Sequence, residues 1–189
     1  MLHQSLPASA WYAVQVWAGR EQLSAKHLEL RGYRIFMPTY REHRRWSDRV
    51  KIVQSALFPG YVFCQLTQEC VATIVGSPGV IRIVGDGANP LPVPTSEIEA
   101  IQHVVSACVQ TQPWQFLKTG QRVRIAHGPL KDLEGIVITI KNQHRLVVSV
   151  PLLQRSVAVE IDPDWLSVPY TVVAAAESSA APRVRDIRP

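Results

Sequence analysis

Past residue 118 the chain keeps one hydrophobic period only, the two-residue alternation of a strand. Residues 121–125, 135–140, 146–150 and 157–161 are four β-branched runs set apart by turn residues. Ile136, Val137, Ile138, Ile140, Val147, Val148 and Val150 crowd this stretch, and such side chains fit a pleated, half-buried surface better than a helix. Short strands recurring at intervals of about ten residues cannot each bury a face alone; they close on one another as a small all-β barrel. Residues 119–168 are therefore expected to form such a barrel.

Upstream the period alternates between strand and helix. Residues 10–17, aromatic and β-branched, read as a strand that ends at Gly19. Residues 20–31 carry Leu23, His27 and Leu30 at helical spacing, and Gly32 is a natural stop. A short strand at 33–37 is closed by Pro38, and 40–57 read as a polar hairpin turning near Ser47 and Asp48. Phe58-Pro-Gly-Tyr-Val-Phe63 begins a strand running to Leu66. A short helix at 68–75, turn residues at 76–79, a strand at 80–84 and a Gly/Pro loop at 85–94 follow. Ser96 with Glu99 three residues on resembles a capping box before a helix that buries Ile98, Ile101, Val105 and Cys108. The expected class is α+β, helices packed on a mostly antiparallel sheet over 10–108, followed by the barrel. Residues 1–9 are expected to be a flexible N-terminus, 109–118 a linker and 169–189 a disordered tail.

Charge is unevenly placed. Residues 20–51 hold nine Lys and Arg against four acids, which is the whole net charge of +5. Cys64, Cys70 and Cys108 are odd in number and lack CxxC spacing, which argues against a disulfide framework or a cysteine zinc site. The six histidines share no metal-ligand spacing, and GxGxxG, P-loop, GxSxG and HExxH patterns are absent. The chain is therefore read as a non-enzyme without metal or cofactor. It shows neither a signal-peptide pattern nor an apolar run of the roughly 18 residues a membrane helix needs. A cytoplasmic monomer with no membrane contact is expected.

Five local patterns occur in order: Trp11-Tyr12 with Gly19-Arg-Glu21; Phe36-Met-Pro38; Phe58-Pro-Gly-Tyr-Val-Phe63; Pro78-Gly-Val80 with Ile83-Val84-Gly85; and Gly120 to Ile125 with Gly128-Pro-Leu130 and Leu133 to Val137. Together they resemble the NusG family of transcription elongation factors, the last reading as a KOW motif on an SH3-like barrel. The resemblance implies an N-terminal NGN domain that sits on the clamp helices of RNA polymerase through an apolar pocket. It also implies a KOW domain that recruits a second partner, such as a ribosomal protein or the Rho factor. The basic hairpin and the tail with Arg183, Arg185 and Arg188 look like specialised paralogues that act on particular operons. The Val- and Ile-rich C-terminal strands favour a stable barrel over a helical alternative fold. KOW barrels also occur in ribosomal proteins, so an RNA-binding module of a translation-associated protein is the alternative; Trp11-Tyr12 and the Phe-Pro-Gly-Tyr pattern favour the first reading.

On this resemblance, Tyr12, Phe58, Tyr61, Phe63 and Thr73 are expected to bind polymerase. By alternation Tyr61 and Phe63 share one strand face, Val62 takes the other, and Trp11 and Tyr12 point to opposite faces. Aromatics on an open face suit a partner helix; the same residues serve equally as core. Arg41, Arg44, Arg45 and Arg49 are candidates for phosphate contacts with non-template DNA or nascent RNA, and Trp46 for base stacking. Arg20, Gln22 and Lys26 are candidates by position on the first helix. A solvated polar surface explains the same residues. Leu130, Leu133 and Gly135 are expected at the KOW partner edge, with loop and backbone packing as the other reading.

Overall fold

The computed structural model describes residues 9–45, 50–66, 71–87, 89–115, 121–140, 143–166 and 173–174. Strand β1 (Ala10–Val16) enters helix α1 (Glu21–Leu30), then β2 (Arg34–Phe36), the ribbon β3 (Thr39–Arg45) and β4 (Val50–Ala56), and β5 (Tyr61–Leu66). Helix α2 (Val71–Val75), β6 (Val80–Ile83), β7 (Pro92–Val93) and α3 (Thr95–Ser106) complete the first part. The second part is β8 (Thr111–Gln115), β9 (Gln121–Arg124), β10 (Glu134–Ile140), β11 (Gln143–Val150), β12 (Arg155–Ile161) and β13 (Val173–Ala174). The α+β class holds, and β3 and β4 pair antiparallel as expected, while the turn expected near Ser47 and Asp48 lies outside the described residues.

The first sheet runs β2-β5-β1-β6, with β7 also on β1, and all its pairs are antiparallel. Alternation sorts its two faces. Tyr12, Val14, Val16, Val62 and Cys64 pack with Ala25 and Leu28 of α1 and Ile74 of α2. Trp11, Ala13 and Phe63 pack with Ile98, Ile101 and Val104 of α3. The second sheet runs β13-β10-β11-β12-β8, with β9 also on β10. Its inward residues, among them Val137, Leu146, Val148, Val157 and Val159, join the α3 cluster as one continuous core.

Several expectations change. The linker expected at 109–118 supplies β8, whose Thr111–Gln115 ladder lies along β12. Within the expected tail, Val173 and Ala174 pair in parallel with Ile138 and Thr139. The remainder of that tail and residues 1–8 of the expected flexible N-terminus lie outside the described residues. Helix α1 buries Glu21, Ser24, Ala25 and Leu28, leaving Leu23 and Leu30 in solvent. Small side chains at 24 and 25 let the helix lie close to the sheet, and Ser24 fills the space above Gly79. Helix α3 begins at Thr95 after Pro94, with no side-chain cap from Ser96. Val104, rather than Val105 or Cys108, is its third core residue, because the helix has ended before Cys108 reaches φ +55°.

Candidate functional site

The ends of α1, β1, β5 and β6 converge on one corner. Its centre is the turn Phe58-Pro-Gly-Tyr61, closed by the Tyr61 N–H donating to the Phe58 carbonyl at 3.0 Å. Pro presets the first turn position and Gly60 takes φ +83°, the left-handed value that the second position of such a turn requires. The Gly60 N–H donates to Oε1 of Glu21 at 2.8 Å, and its carbonyl accepts from the Val16 N–H at 2.9 Å. Glu21 is buried at the first position of α1, so a carboxylate and two strands hold this turn. On the other side of β1, the Trp17 N–H donates to the Gly79 carbonyl at 3.0 Å. The Arg20 N–H then closes a turn onto the Trp17 carbonyl at 3.0 Å.

Beneath the corner lies an aromatic seam. The Phe58 and Phe63 rings meet edge to face at 5.3 Å, Phe36 stacks on Phe63 at 6.1 Å, and Trp11 meets Phe36 at 6.4 Å. The Arg34 guanidinium covers Trp11 at 5.7 Å. Phe63, expected with Tyr61 on an open face, and Phe58, expected to bind polymerase, are buried, because α3 packs on that face. Tyr61 is half-buried and packs on the same cluster from its rim. Tyr12, expected at the surface, is at 0 % exposure on the α1 face. Burial pushes its phenol pKa up, and its hydroxyl has no hydrogen-bond partner.

What the corner shows to solvent includes residues the sequence reading did not select. Trp17 is 63 % exposed. Gln15, cross-strand from both Tyr61 and Arg82, accepts the Arg82 Nε–H at 2.8 Å. The elements that meet at the corner thus carry an exposed Trp, the exposed Arg20 and Arg82 and the half-buried Tyr61, the residue types enriched where proteins anchor partners. The signal was present in Trp17 itself, a large aromatic one residue past the strand end and before a Gly turn. Thr73 is exposed on α2; its carbonyl accepts from Arg31 Nη1 at 3.3 Å.

The nucleic-acid candidates divide between two elements. Arg20, Gln22 and Lys26 are exposed at and along α1, and Arg41 is exposed on β3. Arg44 and Arg45 sit opposite Lys51 and Val50 in the β3–β4 ladder. Trp46 and Arg49 lie outside the described residues. Leu130 and Leu133 are buried rather than presented at an edge, because both belong to the core cluster that includes α3. Gly135 serves packing: a Cβ there would stand 2.7 Å from the Val147 carbonyl oxygen. Gly128 likewise, at φ +81°, lies against the Trp165 ring. Between α3 and the barrel is a cleft lined in part by Glu97, His103, Leu133, Ile136 and Val147. Across it His103 Nε2 meets the Pro129 carbonyl oxygen at 3.0 Å, and burial raises the pKa of Glu97. Among the described residues no three His, Cys, Asp or Glu side chains could hold a metal ion, and no helix is long and apolar enough to cross a membrane.

Residues 9–102 match the family model described as transcription termination factor NusG. The chain is 27 % identical to the transcription termination/antitermination protein NusG of Thermus thermophilus, over 80 % of this chain and 94 % of that one. Identity to the protein of the same name from Staphylococcus aureus is 29 %, over 87 % of this chain and 98 % of that one. A solved structure of Thermotoga maritima NusG superposes with a TM-score of 0.48 at 22 % identity, covering 80 % of this chain and 92 % of that one. These relatives are named as NusG itself, and the expected operon-specific character is not shown by them.

Proposed function

With a NusG-family domain at residues 9–102, we propose that this chain is a transcription termination/antitermination factor that docks on RNA polymerase through the corner where Tyr61 and Trp17 meet solvent. The observation that carries the reading is the Glu21–Gly60 hydrogen bond at 2.8 Å. It fixes the Phe-Pro-Gly-Tyr turn from beneath, so the rim Tyr and the neighbouring Trp are presented on a rigid base. Anchors held in place before binding lose little conformational freedom on docking, which favours affinity. Docking is the whole of the chemistry proposed; the chain acts by binding, in the cytoplasm, without a cofactor.

In this reading the clamp helices of polymerase cover Trp17 and Tyr61, while Arg20 and Arg82 meet acidic or polar groups at the rim. Phe58, Phe63, Phe36 and Trp11 support the surface from below. The β3–β4 ribbon faces nucleic acid of the elongating complex. The barrel holds a second protein, of the ribosomal or Rho type; similarity to the NusG relatives runs well past residue 102, over 80–87 % of the chain.

A purified transcription assay tests the function directly. Core polymerase elongating through pause and terminator sites is expected to show altered readthrough when the full chain is added, and none with Trp17→Ala plus Tyr61→Ala. Unchanged transcription with the folded wild-type chain would contradict the reading.

A further inference from the structure

Leu130 and Leu133, where a second protein was expected on the barrel, are buried in the core. Strand β12 offers another seat. It has β11 on one side and β8 on the other. Ser156, Val157, Ala158, Val159 and Ile161 of this strand are all buried. Val157, Val159 and Ile161 face the main core, while Ala158 joins Ile136, Ile138 and Val147 in a separate apolar cluster on the other face of the sheet. A long apolar strand edge, left uncovered, is a template for pairing with another chain. Here β8 covers it, paired antiparallel from Arg155–Gln115 to Val159–Thr111. The Trp114 ring packs on the separate cluster at the same time.

The cover fits its seat less well than the seat is built. Pro, a residue depleted in strands, stands at the centre of β8. Thr111, Gln112, Pro113 and Trp114 are each only half-buried. The indole N–H of Trp114 is buried and has no hydrogen-bond partner, and neither has Nε of Arg145, whose guanidinium lies over that ring at 5.9 Å. A segment held by few fully buried contacts opens at lower cost than the core. Pro113 also decides which edge can accept a strand. The Glu160 N–H donates to the Gln110 carbonyl at 3.0 Å, and bonded and non-bonded pairs alternate along an antiparallel ladder. Pro113–Val157 therefore falls on a non-bonded pair. The missing N–H faces away from β12, so it costs no bond there and closes the outer edge of β8 to a further strand. Strand addition at this side of the barrel has to replace β8.

We propose that the β12 edge is a strand-acceptor site, and that an extended segment of a second protein pairs antiparallel with Arg155–Val159 in place of β8. The resident strand shows what fits: about five residues in β conformation, with an aromatic side chain at the place of Trp114, over Ala158 and under the Arg145 guanidinium. Main-chain hydrogen bonds supply affinity in this mode and the side-chain pocket supplies selectivity. Tethered β8 competes at an effective concentration on the order of millimolar, so only a strand that fits better displaces it. The inference rests on the reading that the barrel holds a second protein, and gives that protein a seat.

A labelled peptide with the sequence of residues 109–117 stands in for the partner strand, and fluorescence anisotropy measures its binding to the full chain. Trp114→Ala weakens the tethered strand and leaves the seat intact; it is expected to bind the peptide at least about 10-fold tighter than wild type, the step that central aromatic anchors carry. A peptide with Ala at the Trp position is expected to lose that gain. Gln112→Cys with Ala158→Cys, cross-strand neighbours, locks β8 in place when oxidised, on a Cys108→Ser background that removes the exposed thiol. The oxidised chain is expected to bind no peptide, and reduction to restore binding. Thermal melts check each fold. Undiminished binding by the oxidised chain, or equal binding by wild type and Trp114→Ala, would overturn the assignment. So would dimerisation of Trp114→Ala on size exclusion, which would make a second copy the occupant. Polymerase capture by these variants is expected to be unchanged, so failure here and failure of the docking reading are separately visible.

Discussion

At the corner, Glu21 accepts the Gly60 amide at 2.8 Å within the fold, so its truncation strands a buried donor. Glu21→Ala is expected to cost about 1–3 kcal/mol, the penalty for an unsatisfied buried amide. Glu21→Gln keeps an acceptor oxygen and should lose less; chemical denaturation measures both. Equal losses would mean that the hydrogen bond is not what holds the turn. Gly135 is a second position where one atom decides the outcome. Gly135→Ala would place its Cβ 2.7 Å from the Val147 carbonyl oxygen and 2.9 Å from Leu146 Cγ. Because the nearest atom is backbone, overpacking of about 1–3 kcal/mol is expected, seen as a lower melting temperature. A fully stable variant would show that β10 and β11 can part without cost.

Among elements, α3 has a titratable consequence. Glu97 is in its first turn, beside the barrel, and burial raises its pKa while one carboxylate oxygen lacks a partner. A folded-state pKa above the unfolded one means the fold binds the proton more tightly. Stability from this group is therefore present in acid and is lost as pH rises through the raised value. Wild type should gain stability relative to Glu97→Gln as pH falls from neutral toward the carboxylate range, measured as paired unfolding curves. A constant difference between the two would contradict the burial of that carboxyl. The elements themselves were legible where pattern and packing agree. Alternation placed Trp11 and Tyr12, and Val62 and Phe63, on opposite faces of the sheet. It could not tell which face α3 would cover, so Tyr12, Phe58 and Phe63 were expected outside and are inside. Leu23 and Leu30 suggested the buried stripe of α1, but close approach to the sheet selects Ser24 and Ala25 instead. Gln112 and Pro113 read as linker because β8 is an edge strand whose order comes from its partner β12, not from its own composition. Trp17 closes the aromatic, β-branched run 10–17, and nothing in that run sets it apart from the buried Trp11; its 63 % exposure does.

For the whole molecule, the family match covers residues 9–102, and the core cluster built on that part continues through α3 into the barrel. One molecule thus offers three surfaces of different character: an aromatic corner, a basic ribbon and a barrel. The proposed function assigns the polymerase to the first. The buried positions of Phe58 and Phe63 make them unsuitable probes, since their truncation would unfold what it is meant to test. Trp17 and Tyr61 lie at the surface and its rim, where truncation spares the core. The most direct measurement is capture of purified core RNA polymerase by the immobilised full chain, wild type against Trp17→Ala with Tyr61→Ala, each variant confirmed folded by circular dichroism. The account predicts capture by wild type and at least about a tenfold loss in the double variant, the effect of removing central aromatic anchors. Undiminished capture by the folded double variant would place the contact elsewhere, and absence of capture by wild type would contradict the docking role itself.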